Sequence, residues 1–330
     1  MAILRCNRCD HIREVGGNYL GMRVKCPECK NITQVYDTIA YVSALLSKYK
    51  EQKNKLELYH SGASEDAAQA SDAGDDSFSD VDLHNTKILV QEKNIEPMSK
   101  WFEERHIEAI FNPDAADTSG FFDEIALTLG DDFEVLSYVT KQIKYIQAKG
   151  FKNVKLDVSN KTANEIHSIN RFCKELYDYS FVAKHLYQKK HKMIRLTLQT
   201  APRIRKFFNG FWMEWFALMK LLKLFQEKKI APACTRSLNV TFQDGKSNEL
   251  DLFVLSSSGV PICIECKSGE FRHDIDKYLA LRKKLGISKS QFILCVFGLS
   301  DELAQGMTSM YDLTFVNQSS LVDHVADVLS

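Results

Sequence analysis

Two cysteine pairs, Cys6-x2-Cys9 and Cys26-x2-Cys29, stand sixteen residues apart and constrain the start of the chain more tightly than any other feature constrains the rest. Two cysteines separated by two residues turn a tight knuckle that aims both thiolates at one ion, and two knuckles close a tetrahedral shell. A shell with four protein ligands leaves no open coordination position, so the site is expected to be structural, holding Zn²⁺ through Cys6, Cys9, Cys26 and Cys29. A segment this short buries little apolar surface, and the metal is expected to supply most of its folding free energy. Residues 1–37 therefore read as a zinc ribbon. Arg5, Arg8, Arg13, Arg23, Lys25 and Lys30 surround the knuckles; they suit either phosphate contacts or a solvated surface on a ribbon that docks onto a protein partner.

Cys173, Cys234, Cys263 and Cys295 lie among apolar residues and read as small core fillers. Nine cysteines used in this way fit a reducing, cytoplasmic compartment better than a disulfide framework. No run of about 18 apolar residues is long enough to span a bilayer, and Met1 to Asp10 lacks the apolar stretch of a signal peptide.

The spacing of Ile39, Val42, Leu45, Leu46 and Tyr49 predicts a helix over about 38–58, within a segment 38–60. Residues 61–84 follow, rich in Ala, Ser, Gly and Asp, and read as a flexible acidic linker. Residues 85–206 read as a mixed α/β domain of unknown role, with strands expected at 87–91, 107–111, 153–158 and 193–198. Helices are expected at 95–106, 137–149 and 161–177, the last capped near Ser159 or Asn160. Residues 207–330 give a clearer order: a helix at about 210–228, strands near 236–243, 248–255 and 260–267, a helix at 272–285, a strand at 291–297 and a closing α/β segment. The fold class expected for the whole chain is mixed α/β.

Chemistry concentrates in the second and third of those C-terminal strands. Asn248-Glu249-Leu250-Asp251-Leu252-Phe253-Val254-Leu255 is an apolar strand interrupted by acids, and Ser256-Ser257-Ser258-Gly259 supplies a turn. Val260-Pro261-Ile262-Cys263-Ile264-Glu265-Cys266-Lys267 follows. Residues two apart on a strand share a face, so Glu265 and Lys267 point the same way, and pairing through the turn brings Asp251 toward Glu265. Asp251 and Glu265 are hard oxygen donors suited to Mg²⁺ or Mn²⁺, while Lys267 can orient a water or stabilise developing negative charge. The bland alternative is a surface hairpin with solvated charges. Acids flanked on both sides by Leu, Val and Ile argue against it.

Asp251 followed by a hairpin and Glu265-Cys266-Lys267 resembles the D…(D/E)-x-K motif of the PD-(D/E)XK nuclease superfamily. The run NELDLFVL…ICIECKSG is similar to the nuclease domain of CRISPR-ancillary nucleases activated by cyclic oligonucleotides. The resemblance covers about residues 207–300 and implies a restriction-endonuclease-like αβββαβ domain. It further implies a catalytic glutamate on the preceding helix, matched by Glu214, and the Cys266 backbone carbonyl as a further ligand to Mg²⁺ or Mn²⁺ beside Asp251 and Glu265. The proline of the family name is replaced by Leu250, a position that varies. A metal-dependent endonuclease acting on DNA, in defence against phage or plasmids and working as a homodimer, is what the resemblance implies. Nothing in the motif reads a 2′-hydroxyl, so RNA is also compatible.

Formal net charge is zero, so nucleic-acid affinity must come from a local patch. Between Asp178 and Glu214 there is no acid, while Lys189, Lys190, Lys192, Arg195, Arg203, Arg205 and Lys206 fall in that window and form the candidate nucleic-acid-binding set. Arg272 and the later basic residues to Lys284 sit on the helix after Lys267, and His273 reads as a surface residue. The competing function, from another class, is a non-catalytic nucleic-acid-binding adaptor built on the same fold.

Overall fold

The computed structural model describes residues 2–6, 9, 11–20, 22–38, 86–112, 115 and 121–329, in two compact units, Met1–Gly74 and Asp75–Ser330. The helix expected at 38–58 and the linker expected at 61–84 lie outside the described residues.

In the first unit, strands β1 (Ala2–Arg5), β2 (Ile12–Val15), β3 (Arg23–Lys25) and β4 (Ile32–Asp37) form an antiparallel sheet in the order β2-β1-β4-β3. Its buried core consists of Ala2, Leu4 and Val35, with Val15 and Val24 packed against them. At about 1.5–3 kcal/mol for each large apolar side chain, so small a core cannot offset the ordering of its own backbone.

The second unit opens with a 3-10 turn at Thr86–Val90, where a strand is expected from Ile-Leu-Val. A five-residue apolar run does not distinguish the two. Then come α1 (Glu92–Glu103), β5 (Glu108–Ile110), α2 (Phe121–Asp131), α3 (Phe133–Ala148) and β6 (Asn153–Asp157). Helix α4 (Ala163–Asp178) is capped by Thr162, not by Ser159 or Asn160: Thr162 and Glu165 form a reciprocal capping box. Strands β7 (Val182–Gln188) and β8 (Met193–Leu198) complete a small antiparallel sheet in the order β6-β8-β7.

Helix α5 (Pro202–Lys206) passes through a π-helical turn at Phe207–Phe211, with Gly210 at φ 139, into α6 (Trp212–Lys228). The remaining elements are β9 (Ala233–Thr241), β10 (Ser247–Leu255), β11 (Pro261–Ser268), α7 (Ile275–Leu285), β12 (Phe292–Phe297), α8 (Asp301–Met310), β13 (Thr314–Val316) and α9 (Leu321–Leu329). The order from α6 to β12 is thus αβββαβ.

These strands build one six-stranded mixed sheet, β13-β12-β11-β10-β9-β5, in which β11, β12 and β13 run parallel and the other pairs are antiparallel. Leu252, Val254, Ile262 and Ile264 face the layer holding α2, α3 and α6, while Phe253, Leu255 and Cys263 face α1 and α7. Burial on both faces explains the near-continuous apolar character of β11 and β12. Most of α6 is buried, which accounts for its lack of a polar face.

The boundary expected between residues 206 and 207 does not separate two cores. Phe207 packs edge-on against Phe181, at 5.1 Å between centroids, and lies near Phe122, at 5.5 Å; both belong to the region expected to be a separate domain. Strand β5 from that same region forms the edge of the large sheet. A Cβ at Gly130 on α2 would lie 2.1 Å from the Phe216 ring on α6, so only glycine permits this close helix contact.

Candidate functional site

In the hairpin β10–β11 the register pairs Leu252 with Ile264 and Phe253 with Cys263. Gly259, at φ 81, donates its amide to Ser256 O (2.9 Å) and closes the turn in a backbone conformation open to glycine. This brings Asp251 beside Glu265, as expected. The Asp251 amide approaches Glu265 Oε1 at 3.4 Å, and Asp251 Oδ2 accepts the Cys266 amide at 2.7 Å. Lys267 Nζ lies 3.7 Å from Asp251 Oδ2 and 3.9 Å from Glu265 Oε2. Two carboxylates and one ammonium converge.

The alternation of side chains inverts at this point. Leu250 packs on the α1 and α7 side and Leu252 on the α6 side, although two residues on a regular strand share a face. Across the ladder, Leu238 and Cys234 also fall on opposite sides, with Ser237 between them at φ 51. The inversion sets Asp251 where carboxyls from both layers sense it: burial and the Asp251 charge both raise Glu214 on α6 and Glu265 on β11.

Burial dominates the electrostatics. Glu265 is 3% exposed and its carboxyl is pushed well above its ordinary range by desolvation first and by Asp251 second. Asp251 is also raised by burial, against the pull of Lys267 and the Cys266 amide. Glu214 is pushed up to about 8 by desolvation and then by Asp251. Burial works against the Lys267 ammonium, yet the Asp251 and Glu265 carboxylates hold its pKa above the usual lysine value. Tyr278 on α7, pushed up to about 12 chiefly by burial, sits beside that ammonium.

Glu214 Oε2 accepts the Ser237 hydroxyl at 2.8 Å and pairs with Arg236 at 3.3 Å. Arg236 is 4% exposed, stacks on Trp215 at 3.9 Å and donates to Ala115 O at 3.1 Å. The sequence reading missed Arg236, Ser237 and Tyr278. An arginine inside Ala-Cys-Thr-Arg-Ser-Leu-Asn-Val was the available signal, since an arginine in an apolar strand requires a buried acid.

Glu214, Asp251, Cys266 and Lys267 line one cleft of about 790 Å³, whose polar rim includes Lys141, Lys144 and Arg272. The expected nucleic-acid-binding residues do not line it. Lys189, Lys190, Lys192 and Arg195 belong to the β7–β8 hairpin. Arg203, Arg205 and Lys206 lie on α5, where Lys206 Nζ sits 3.6 Å over the Phe211 ring. Lys141 and Lys144 were missed because the packing of α3 alone brings them to the cleft.

In the first unit the four cysteines come together, their sulfurs all within 4.8 Å of one another. Cys6 and Cys29 are 3.3 Å apart, Cys9 and Cys26 3.7 Å. Zn–S bonds of about 2.3 Å place tetrahedral sulfurs about 3.8 Å apart, so this donor set fits a metal such as zinc. The Cys6 amide donates to His11 O (2.9 Å) and the Cys26 amide to Asn31 O (2.8 Å), which folds the two knuckles alike. The His11 backbone amide pulls the Cys9 thiol down, but the crowded neighbouring thiols, Cys29 foremost, push it up to about 12; a bound cation reverses that balance. Among the described residues this is the one cluster of three or more such ligands. The carboxylates of the cleft do not form another. Arg8 lies outside the described residues.

No protein-family model and no curated protein matches the sequence. Among solved structures the chain is similar to protein VC1899 from Vibrio cholerae, with a TM-score of 0.50 and 17% identity over 70% of this chain and 60% of that one. The likeness is one of fold. The chain spans less than two thirds of that protein's length. No described helix is long and apolar enough to cross a membrane.

Proposed function

We propose that the chain hydrolyses phosphodiester bonds in nucleic acid, with Asp251 and Glu265 holding a Mg²⁺ or Mn²⁺ ion and Lys267 completing the site. The single observation that carries this reading is the Lys267 ammonium within 4 Å of the Asp251 carboxylate, which lines an open cleft, and of the buried Glu265 carboxylate. The donor set suits the ion: two buried carboxylates whose charged forms are penalised by desolvation gain most from a hard cation. When bound, the ion polarises the scissile phosphate and lowers the pKa of a coordinated water.

The protein's own groups supply the rest. Cys266 N–H fixes Asp251 Oδ2, and through it the orientation of the carboxylate. Lys267, held protonated by its two acids, serves to stabilise negative charge on the phosphoryl oxygens rather than to abstract a proton. Glu214 adds a third carboxyl to the cleft wall, anchored by Ser237 and Arg236. The D…E-x-K motif resembles that of PD-(D/E)XK nucleases, which favours DNA as substrate and a role in defence against phage or plasmids. In the first unit we assign Zn²⁺, one ion per chain, as the structural metal of a ribbon.

Nicking of supercoiled plasmid with Mn²⁺ tests the reading. Asp251→Ala and Lys267→Ala are each expected to lose about 10²-fold or more in rate, the usual scale for removing one transition-state contact. Cleavage unaffected by either substitution removes the site assignment, and binding without cleavage under any metal favours the adaptor.

A further inference from the structure

The β6-β8-β7 sheet buries one face and leaves the other open. Val154, Leu156, Ile194 and Leu196 point inward, while the alternate residues are exposed or half-exposed. The register sets Lys155 opposite Arg195 and Arg195 opposite Leu186, and it places Lys184 opposite Thr197, one step along the same face. Facing side chains on paired strands are about 5 Å apart, and like charges directly opposite destabilise a sheet. Arg195 donates from Nε to the neutral Gln188 Oε1 at 3.0 Å, so this bond neutralises nothing. Asp157 is the single acid among the positions of this face, and its Oδ1 accepts the Ser159 amide at 2.9 Å. Lys189, Lys190 and the left-handed Lys192, all exposed, extend the positive charge around the β7–β8 turn.

We infer that this open sheet face is a docking surface for the phosphate backbone of a nucleic acid. It shares no lining residue with the cleft. A row of cations with a single acid, Asp157, at its edge is held at a cost to the sheet, and that cost is recovered when phosphates replace counterions over it. An anionic bilayer is the poorer fit, because Leu186 is the one exposed apolar side chain on the face and a membrane-binding surface needs an apolar flank. The choice of polyanion rests on the hydrolase reading above; the cationic face itself does not.

The test compares the full-length protein with the triple variant Lys155→Gln/Lys184→Gln/Arg195→Gln. The probes are a labelled forty-nucleotide single strand and the matching duplex, titrated at several salt concentrations. Mg²⁺ and Mn²⁺ are left out of the buffers and no chelator is added, which spares the ribbon's metal, so no cleavage intrudes and failure of the hydrolase reading leaves this measurement intact. The variant is expected to bind about tenfold or more weakly at 0.1 M salt, with a salt slope smaller by about two to three units. Its melting temperature should equal or exceed that of the parent, since a repulsive pair is relieved. Lys174→Gln, on a lysine already paired with Asp178, should leave both quantities unchanged. Unaltered affinity and slope in the triple variant overturn the inference. So does equal loss in the Lys174→Gln protein, and so does binding to phosphatidylserine vesicles in place of either nucleic acid.

Discussion

At the scale of single residues, burial and the neighbouring Asp251 charge both favour the protonated, neutral forms of Glu214 and Glu265. Glu214 has a folded pKa of about 8 against an ordinary value near 4.5, so the folded state binds more protons between those limits. Stability from this group is therefore full below about 4.5 and lost as pH rises toward 8. Melting temperatures without added Mg²⁺ or Mn²⁺ at pH 5, 6.5 and 8 are expected to fall more steeply for the parent than for Glu214→Gln; parallel profiles would remove the assignment. Divalent cations compete with those same protons, so Mn²⁺ should raise the melting temperature more at pH 8 than at pH 6. The pair Asp251 and Glu265 was legible in sequence because the acids interrupt an otherwise apolar hairpin. The partners of Glu214 were not, since Ser237 and Arg236 reach it only through the inverted alternation of β9 and β10.

At the scale of elements, legibility followed periodicity. Strands β8, β10, β11 and β12 show apolar alternation or a short apolar run next to a turn, and their bounds lie within about two residues of those expected. Strand β7 was missed because Lys184, His185 and Gln188 dilute its pattern and a bulge near Lys184 shifts its phase. Helix α2 was not among the expected elements; Gly130 inside it is a packing residue against Phe216. The capping box at Thr162 was written in the sequence as Thr-Ala-Asn-Glu, three residues from cap to glutamate. Thr162→Ala is expected to cost about 1 kcal/mol in urea denaturation, and a change within experimental error would contradict the cap. For the ribbon the same reasoning is harsher. Its apolar core is too small to hold four strands, so elemental analysis of the parent is expected to find about one zinc per chain, and Cys26→Ser to release it and collapse hydrogen-exchange protection in β1–β4. Retained zinc with intact protection would show that the ribbon stands without it.

At the scale of the whole molecule, the order of apolar patterns pointed to a mixed α/β chain, but the division at residue 206 did not survive packing. Sequence shows where a pattern changes; it does not show which apolar faces meet. Here the aromatic side chains of Phe122, Phe181 and Phe207 close one layer across that division. A fragment covering residues 207–330 is accordingly expected to lack a cooperative thermal transition, whereas residues 86–330 should show one. Cooperative melting of the shorter fragment would restore the two-domain reading. Gly130→Ala, which drives a methyl group into Phe216, is expected to destabilise the parent by about 1–3 kcal/mol.

The helix contact at Gly130 has a further meaning for how such a protein can change over generations. Because α6 carries Glu214 and also rests directly on α2, any drift in the upstream half is transmitted to the wall of the cleft. The half that carries the cleft is therefore poorly suited to recombination as a free-standing module; it can be inherited only together with the scaffold that presses against it.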